Sequence, residues 1–257
     1  MIKEDIITGN AFKQICDDFI DEEKTYIDIK AKPKIIFLKT DWIEIFKNKV
    51  LPLIDYQFKL VTHNSDRSAI SGNLDLLEDK RLIRWFGMNV DTKHPKLQPI
   101  PIGIANEKWP HGDKNILIEL VNTNIHKTNF VYSNFNIGTN VKERLRVKNF
   151  VQETKFITLD LVTLDYRSYL QKLKSYQYVI SPPGNSIDCH RIWESIYLGV
   201  IPIVEKHPAL EYWHDLPILF VDSFNDVNIE MLETKYQQLV DKSKEKAIMS
   251  YYSNMII

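Results

Sequence analysis

Only two cysteines occur in the 257-residue chain, Cys16 and Cys189, and neither belongs to a CxxC or CxxxH spacing. A disulfide framework and a structural zinc site are therefore not expected, and a reducing compartment fits best. Glycine is scarce, with eight residues, and no GxGxxG follows any apolar run, which disfavours an NAD-dependent dinucleotide fold. No apolar run reaches the roughly 20 residues of a membrane span, and MIKEDIITGNAFKQICDDF lacks the apolar stretch of a signal peptide. The expectation is a cytoplasmic protein without a membrane span. Charge of one sign is also missing, since 33 basic and 34 acidic residues leave a net charge of -1, so nucleic acid is not an expected partner. There is no N-x-S/T sequon, no internal repeat and no D-x-D triplet. The last absence matters for chemistry, because Mn²⁺ or Mg²⁺ on a diphosphate is commonly held by such carboxylates.

What is present points to a folded α/β protein. Hydrophobic residues make up 44% and charged residues 26% of the chain, enough apolar material for one large or two small cores. Short apolar runs alternate with helical periods. IIFLK, FKLVTH, LIRWFGMNV and LQPIPIGIA read as extended segments, with a helix DWIEIFKNKVLPLI capped by Asp41 after the first. A second series runs through NFVYSN, FITLDL, YVIS, VIPIV and ILFVDS, with helices between. Short parallel strands joined by helices predict two Rossmann-like, doubly wound domains facing a cleft. The expected boundaries are 1–125 and 126–240, with a C-terminal helix at 241–257 packing back on the first domain.

Ligands of open α/β sheets bind beyond the carboxyl ends of the strands. One such loop lies in SPPGNSIDCHRIWESIYLGVIPIV, Ser181 to Val204. Here a strand meets a PPGN turn, then a helix with Asn185 as N-cap, Asp188 in its first turn and Gly199 at its end. The helix start offers backbone N–H groups and partial positive charge, suited to a diphosphate. His190 and Arg191 would add donors, and Glu194, one turn on, could accept from ribose hydroxyls. Read from spacing alone, His190 could equally be a surface histidine, and Arg191 with Glu194 an intrahelical ion pair.

This stretch resembles the C-terminal signature of exostosin-like glycosyltransferases, S-P-P-G-x-x-x-D-x-H-R-x-W-E-x-x-x-x-G-x-I-P. FVYSNFNIGTNVKERLRV, LVTHNSD and the WFGMNVD to PIPIGIANEKW region are similar to compact microbial and viral members, so the resemblance covers roughly Phe58 to Ser223. It implies a GT-B fold, with a nucleoside diphosphate sugar on the C-terminal domain and an oligosaccharide or glycoprotein glycan acceptor on the N-terminal one. The donor site would comprise Asn134, Arg144, Arg146, Ser181, Gly184, Asn185, His190, Arg191 and Glu194. Asp66 resembles the base of compact members, with His63 orienting it or acting in its place. By their positions in the chain, Asn89 and His111 are weaker acceptor-side candidates, and Trp85, Trp109 and Trp213 could stack on sugar rings. An inverting mechanism with no cofactor and no metal is expected, with a UDP-sugar such as UDP-xylose favoured. A GDP-fucose-type fucosyltransferase and a non-catalytic nucleotide- or carbohydrate-binding protein remain alternatives.

Overall fold

The computed structural model describes residues 5–68 and 70–257. Two five-stranded sheets, each wholly parallel, organise them. In the first, β1 (Asp18–Ile20), β2 (Ile35–Lys39), β3 (Phe58–His63), β4 (Leu82–Gly87) and β5 (Leu97–Pro99) lie side by side in chain order. In the second, β6 (Asn129–Ser133), β7 (Ile157–Leu159), β8 (Tyr176–Ile180), β9 (Ile201–Glu205) and β10 (Leu219–Val221) adopt the order β7-β6-β8-β9-β10. The helices are α1 (Gly9–Gln14), α2 (Ile43–Ile45), α3 (Lys114–Asn122), α4 (Val141–Glu153), α5 (Tyr166–Lys174), α6 (His190–Tyr197), α7 (Ile229–Val240) and α8 (Met249–Ile256). The α/β class and the division into two halves, each with a parallel sheet, are as expected from the sequence. The winding differs between them. Only the second sheet reverses direction, between β6 and β8, and so has the switch point of a doubly wound sheet; the first advances in one direction throughout.

Strands buried on both faces need near-continuous apolar residues, which is why IIFLK and FKLVTH form β2 and β3 over their whole lengths. The 41–54 segment departs from the expected single helix and becomes a succession of 3₁₀, α and π turns. Asp41 does not cap it, because its carboxylate accepts from Ser65 Oγ at 2.9 Å instead. Pro52 has no N–H to continue the ladder and the β-branched Ile43, Ile45 and Val50 lose rotamer freedom in a helix. LQPIPIGIA pairs only over Leu97–Pro99, since each proline lacks a ladder donor.

The halves share one core. Phe37, Val61 and Phe86 of the first sheet belong to the same apolar cluster as Val179 and Val204 of the second and Trp193 of α6. Trp193 and Trp213 pack edge to face at 5.4 Å between centroids, both fully buried. At the C-terminus, Tyr252 of α8 packs edge-on against Phe12 of α1 at 5.7 Å, and Lys59 of β3 donates to the carbonyl of Ile256. Hydrogen bonds also cross between the halves. Ile102 N–H donates to Asp188 Oδ2 (2.7 Å), Asp188 N–H to Asn89 Oδ1 (2.9 Å) and Ile7 N–H to the Tyr197 hydroxyl (3.0 Å). Among the described residues, no helix is long and apolar enough to cross a membrane.

Candidate functional site

The carboxyl ends of both sheets open onto a cavity of about 630 Å³. That volume suits a small-molecule ligand. Its second-half wall lies at the switch point, where the loops after β6 and β8 diverge. Arg144 of α4 ties these loops together, with Nε donating to the Pro183 carbonyl at 2.9 Å and Nη1 to that of Asn136 at 2.6 Å. Burial, with Arg191 nearby, draws its pKa down to about 10, so it remains cationic at neutral pH. Gly184 permits this close approach: a Cβ there would stand 2.8 Å from Arg144 Nη2, so that the guanidinium would have to shift. Asn140 Nδ2 donates to the Gly184 carbonyl at 3.1 Å, which secures the PPGN turn from a second side.

Helix α6 follows the turn but begins at His190, not at Asn185. Cys189 holds the N-cap position without a side-chain capping bond. Asp188, expected in the helix's first turn, is instead fully buried and accepts from Ile102 N–H and from Trp193 Nε1 (2.8 Å). Burial pushes its carboxyl up to about 7. At the other end Gly199, at φ +68°, terminates α6 as expected, since a left-handed residue costs glycine no Cβ clash. His190 donates through Nδ1 to the Gly103 carbonyl at 2.8 Å and lines the cavity. Its burial favours the neutral ring, with the Gly103 carbonyl and Asp66 opposing that effect.

The first-half wall is built from the residues that follow β2, β3 and β5. Asp66 lies in the exposed loop after β3. Its Oδ2 accepts from Asn185 Nδ2 at 3.1 Å, and its carbonyl accepts from Ser186 Oγ. Trp109 is 53% exposed on the cavity rim, stacked on His111 with centroids 6.3 Å apart; His111 in turn lies 6.2 Å from the His190 ring. The loop that carries Trp109 is pinned at Asn106, whose side chain accepts from Asn10 N–H and donates to Asn64 Oδ1, each at 2.8 Å.

The structure thus brings Asp66, His63, Arg144, Gly184, Asn185 and His190 to one cavity. His63, however, does not fit the part of a base. Asn64 N–H donates to its Nδ1 at 2.7 Å and its Nε2 bonds the Pro101 carbonyl at 3.0 Å, so the ring is neutral with its proton on Nε2. Burial lowers its pKa to about 4, and no hydrogen bond joins it to Asp66 among the described residues. Several further expectations are corrected. Trp85 is fully buried and donates to Thr62 Oγ1, so it belongs to the core. Trp213 is core as well. Asn89, at φ +51°, is buried at the junction of the halves rather than turned toward an acceptor.

On the other wall, Arg146 points away and pairs with Glu143 and Glu205. Asn134 braces the loops after β6 and β7, donating to the carbonyls of Asp160 and Val162 and accepting from Arg191. Ser181 is buried against Cys189 Sγ at 3.3 Å. Arg191 and Glu194 lie behind the cavity wall, Glu194 being 4% exposed among Arg191, Tyr166 and Tyr169. Burial pushes Glu194 up to about 7 against the pull of Arg191. The expected i, i+4 polar face of α6 fails because the helix is covered nearly all round, from Ile192 to Tyr197. Residues missed by the sequence reading include Lys39 and Asp41, which the rule of strand carboxyl ends would have located at the end of β2.

No protein-family model matches the chain, and no curated protein matches it in sequence. Among solved structures, UDP-GlcNAc 2-epimerase from Methanocaldococcus jannaschii is similar at 12% identity over 84% of this chain and 72% of that one, with a TM-score of 0.36. Spinosyn rhamnosyltransferase SpnG complexed with thymidine diphosphate is similar at 11% identity over 88% and 68%, with a TM-score of 0.39. The pneumococcal O-GlcNAc transferase GtfA in complex with UDP and GlcNAc gives 11% identity over 86% of this chain, which spans about half (51%) of that protein, at 0.37.

Proposed function

We propose that the protein is an inverting glycosyltransferase that moves a sugar from a nucleoside diphosphate sugar to a glycan acceptor without a metal on the diphosphate. One observation carries this reading. In a single cavity, the carboxylate of Asp66 on a first-half loop faces Arg144, the PPGN turn and the start of α6 on the second half. Arg144 and the first-turn N–H groups of α6 would meet the charge that develops on the leaving diphosphate, while His190, whose Nδ1–H is already on the Gly103 carbonyl, would donate through Nε2 only as the imidazolium. Asp66 would take the proton of the acceptor hydroxyl as its oxygen attacks the anomeric carbon. The bond from that carbon to the diphosphate oxygen breaks, and the nucleoside diphosphate leaves with the electron pair. Trp109 offers a flat apolar face for the acceptor ring at the rim. The resemblance of SPPGNSIDCHRIWE to exostosin-like transferases supports the donor class and favours a UDP-sugar.

Calorimetry and thermal shift with UDP, GDP, CMP and NAD, each in EDTA and then with Mn²⁺, test the proposal. A binding nucleotide at a hundredfold excess over its dissociation constant stabilises by about 2.7 kcal/mol. Stabilisation by UDP or GDP in EDTA is the expected result. No response to any nucleotide, or one that requires Mn²⁺, overturns the metal-free donor site.

A further inference from the structure

We infer that Asn185 of the PPGN turn and Ser186, which follows it, are positioning residues for Asp66, so that the donor loop sets the geometry of the acceptor-activating carboxylate. The inference rests on the reading of Asp66 as the base. Among the described residues, the Asp66 side chain finds its hydrogen-bond partner in the opposite half and not in its own. Asn185 Nδ2 binds Oδ2 at 3.1 Å, leaving Oδ1 without a hydrogen-bond partner among the described residues, and Ser186 Oγ holds the Asp66 carbonyl, so side chain and backbone are both fixed across the cleft. Within its own half the loop is anchored one residue earlier, where Ser65 Oγ donates to Asp41. The turn that supplies these bonds is itself rigid, secured by Arg144 on the Pro183 carbonyl and by Asn140 on that of Gly184. A carboxylate held at one oxygen presents the other in a defined direction, and positioning of a catalytic group is sensitive to displacements of about 1 Å. Any shift of the PPGN turn on donor binding therefore moves Asp66 with it.

The experiment is steady-state transfer kinetics with donor affinity by calorimetry on Asn185→Ala, Ser186→Ala and the double variant. Asn185→Ala should lower kcat roughly five- to tenfold, the scale of one ordinary hydrogen bond, with donor Kd and Tm unchanged. Ser186→Ala should lower kcat less, and the double variant should lose more than either single one. A kcat equal to wild type in Asn185→Ala, or a kcat loss matched by an equal loss of donor affinity, overturns the inference in favour of a plain donor contact. Asp66→Asn in the same assay separates the two levels. If it turns over at the wild-type rate, the base assignment falls and the positioning role with it. If it is inactive while Asn185→Ala keeps full kcat, the base assignment stands and the positioning role alone is overturned.

Discussion

The two walls of the cavity are made differently. On the second-half wall, Arg144 and His190 are each tied by hydrogen bonds to backbone carbonyls, Asp188 is buried beside them, and Glu194 lies buried behind. On the first-half wall, Asp66 and Trp109 stand exposed on loops. The same contrast runs through the sheets: the second has a switch point, which opens a crevice between β6 and β8, and the first has none. In the proposed transfer, a preorganised wall would suit a ligand whose charged diphosphate never varies, and an open wall would suit acceptors read by a few rim contacts. The difference locates rigidity where electrostatic stabilisation requires fixed dipoles.

The comparison can be broken most severely at Asp66. Asp66→Asn should reduce transfer by about 10²- to 10⁴-fold, with donor affinity measured by calorimetry unchanged. A parallel loss of donor affinity would mean that the two walls do not divide the work. Next in size is Arg144→Ala, which removes a cation and leaves the Pro183 and Asn136 carbonyls without their donor. Hydrogen bonds to a charged group contribute on the order of 1.5–3 kcal/mol, so UDP affinity should fall by at least tenfold and Tm should fall as well.

Glu194 tests whether the second wall is supported from behind. Its folded-state value near 7 lies above its ordinary 4.5, so the folded protein holds the proton longer than the unfolded chain does. The buried charge then costs stability progressively as pH rises from about 4.5 through 7. Glu194→Gln should therefore be more stable relative to wild type at pH 8 than at pH 5, by on the order of 1–3 kcal/mol in denaturant titrations. Nucleotide affinity should not change, because Glu194 does not reach the cavity. The smallest effect is expected at Trp109. Trp109→Ala should raise the acceptor KM about three- to tenfold with Tm nearly constant, since half of the side chain is already in solvent. A large drop in Tm would make Trp109 a packing residue instead.

Much of this was legible in the chain. Strands β2 and β3 coincide with IIFLK and FKLVTH because doubly buried strands announce themselves as apolar runs. The strand, PPGN turn and Gly199 stop were equally visible, because turn chemistry is local. β1 was not. Its three residues, Asp18 to Ile20, carry no periodic pattern and become a strand only by pairing with β2. Asn89 and Asp188 were misread for a related reason. Their hydrogen bond spans 99 positions, and no local rule distinguishes a polar residue that faces a cleft from one that satisfies a buried N–H.

By itself, then, the sequence determined the α/β alternation, the strand carboxyl ends where a site would form, and the lack of a D-x-D triplet that frames the proposed chemistry. These depend on periodicity, turn residues and composition, which act over a few positions. Tertiary structure alone decided which polar side chains reach the cavity. It withdrew Glu194, Arg191 and Arg146, neutralised His63 by burial and set Asn185 against Asp66 across the cleft. Burial and long-range pairing select among chemically equivalent residues, and they arise only when the two sheets close on a common core.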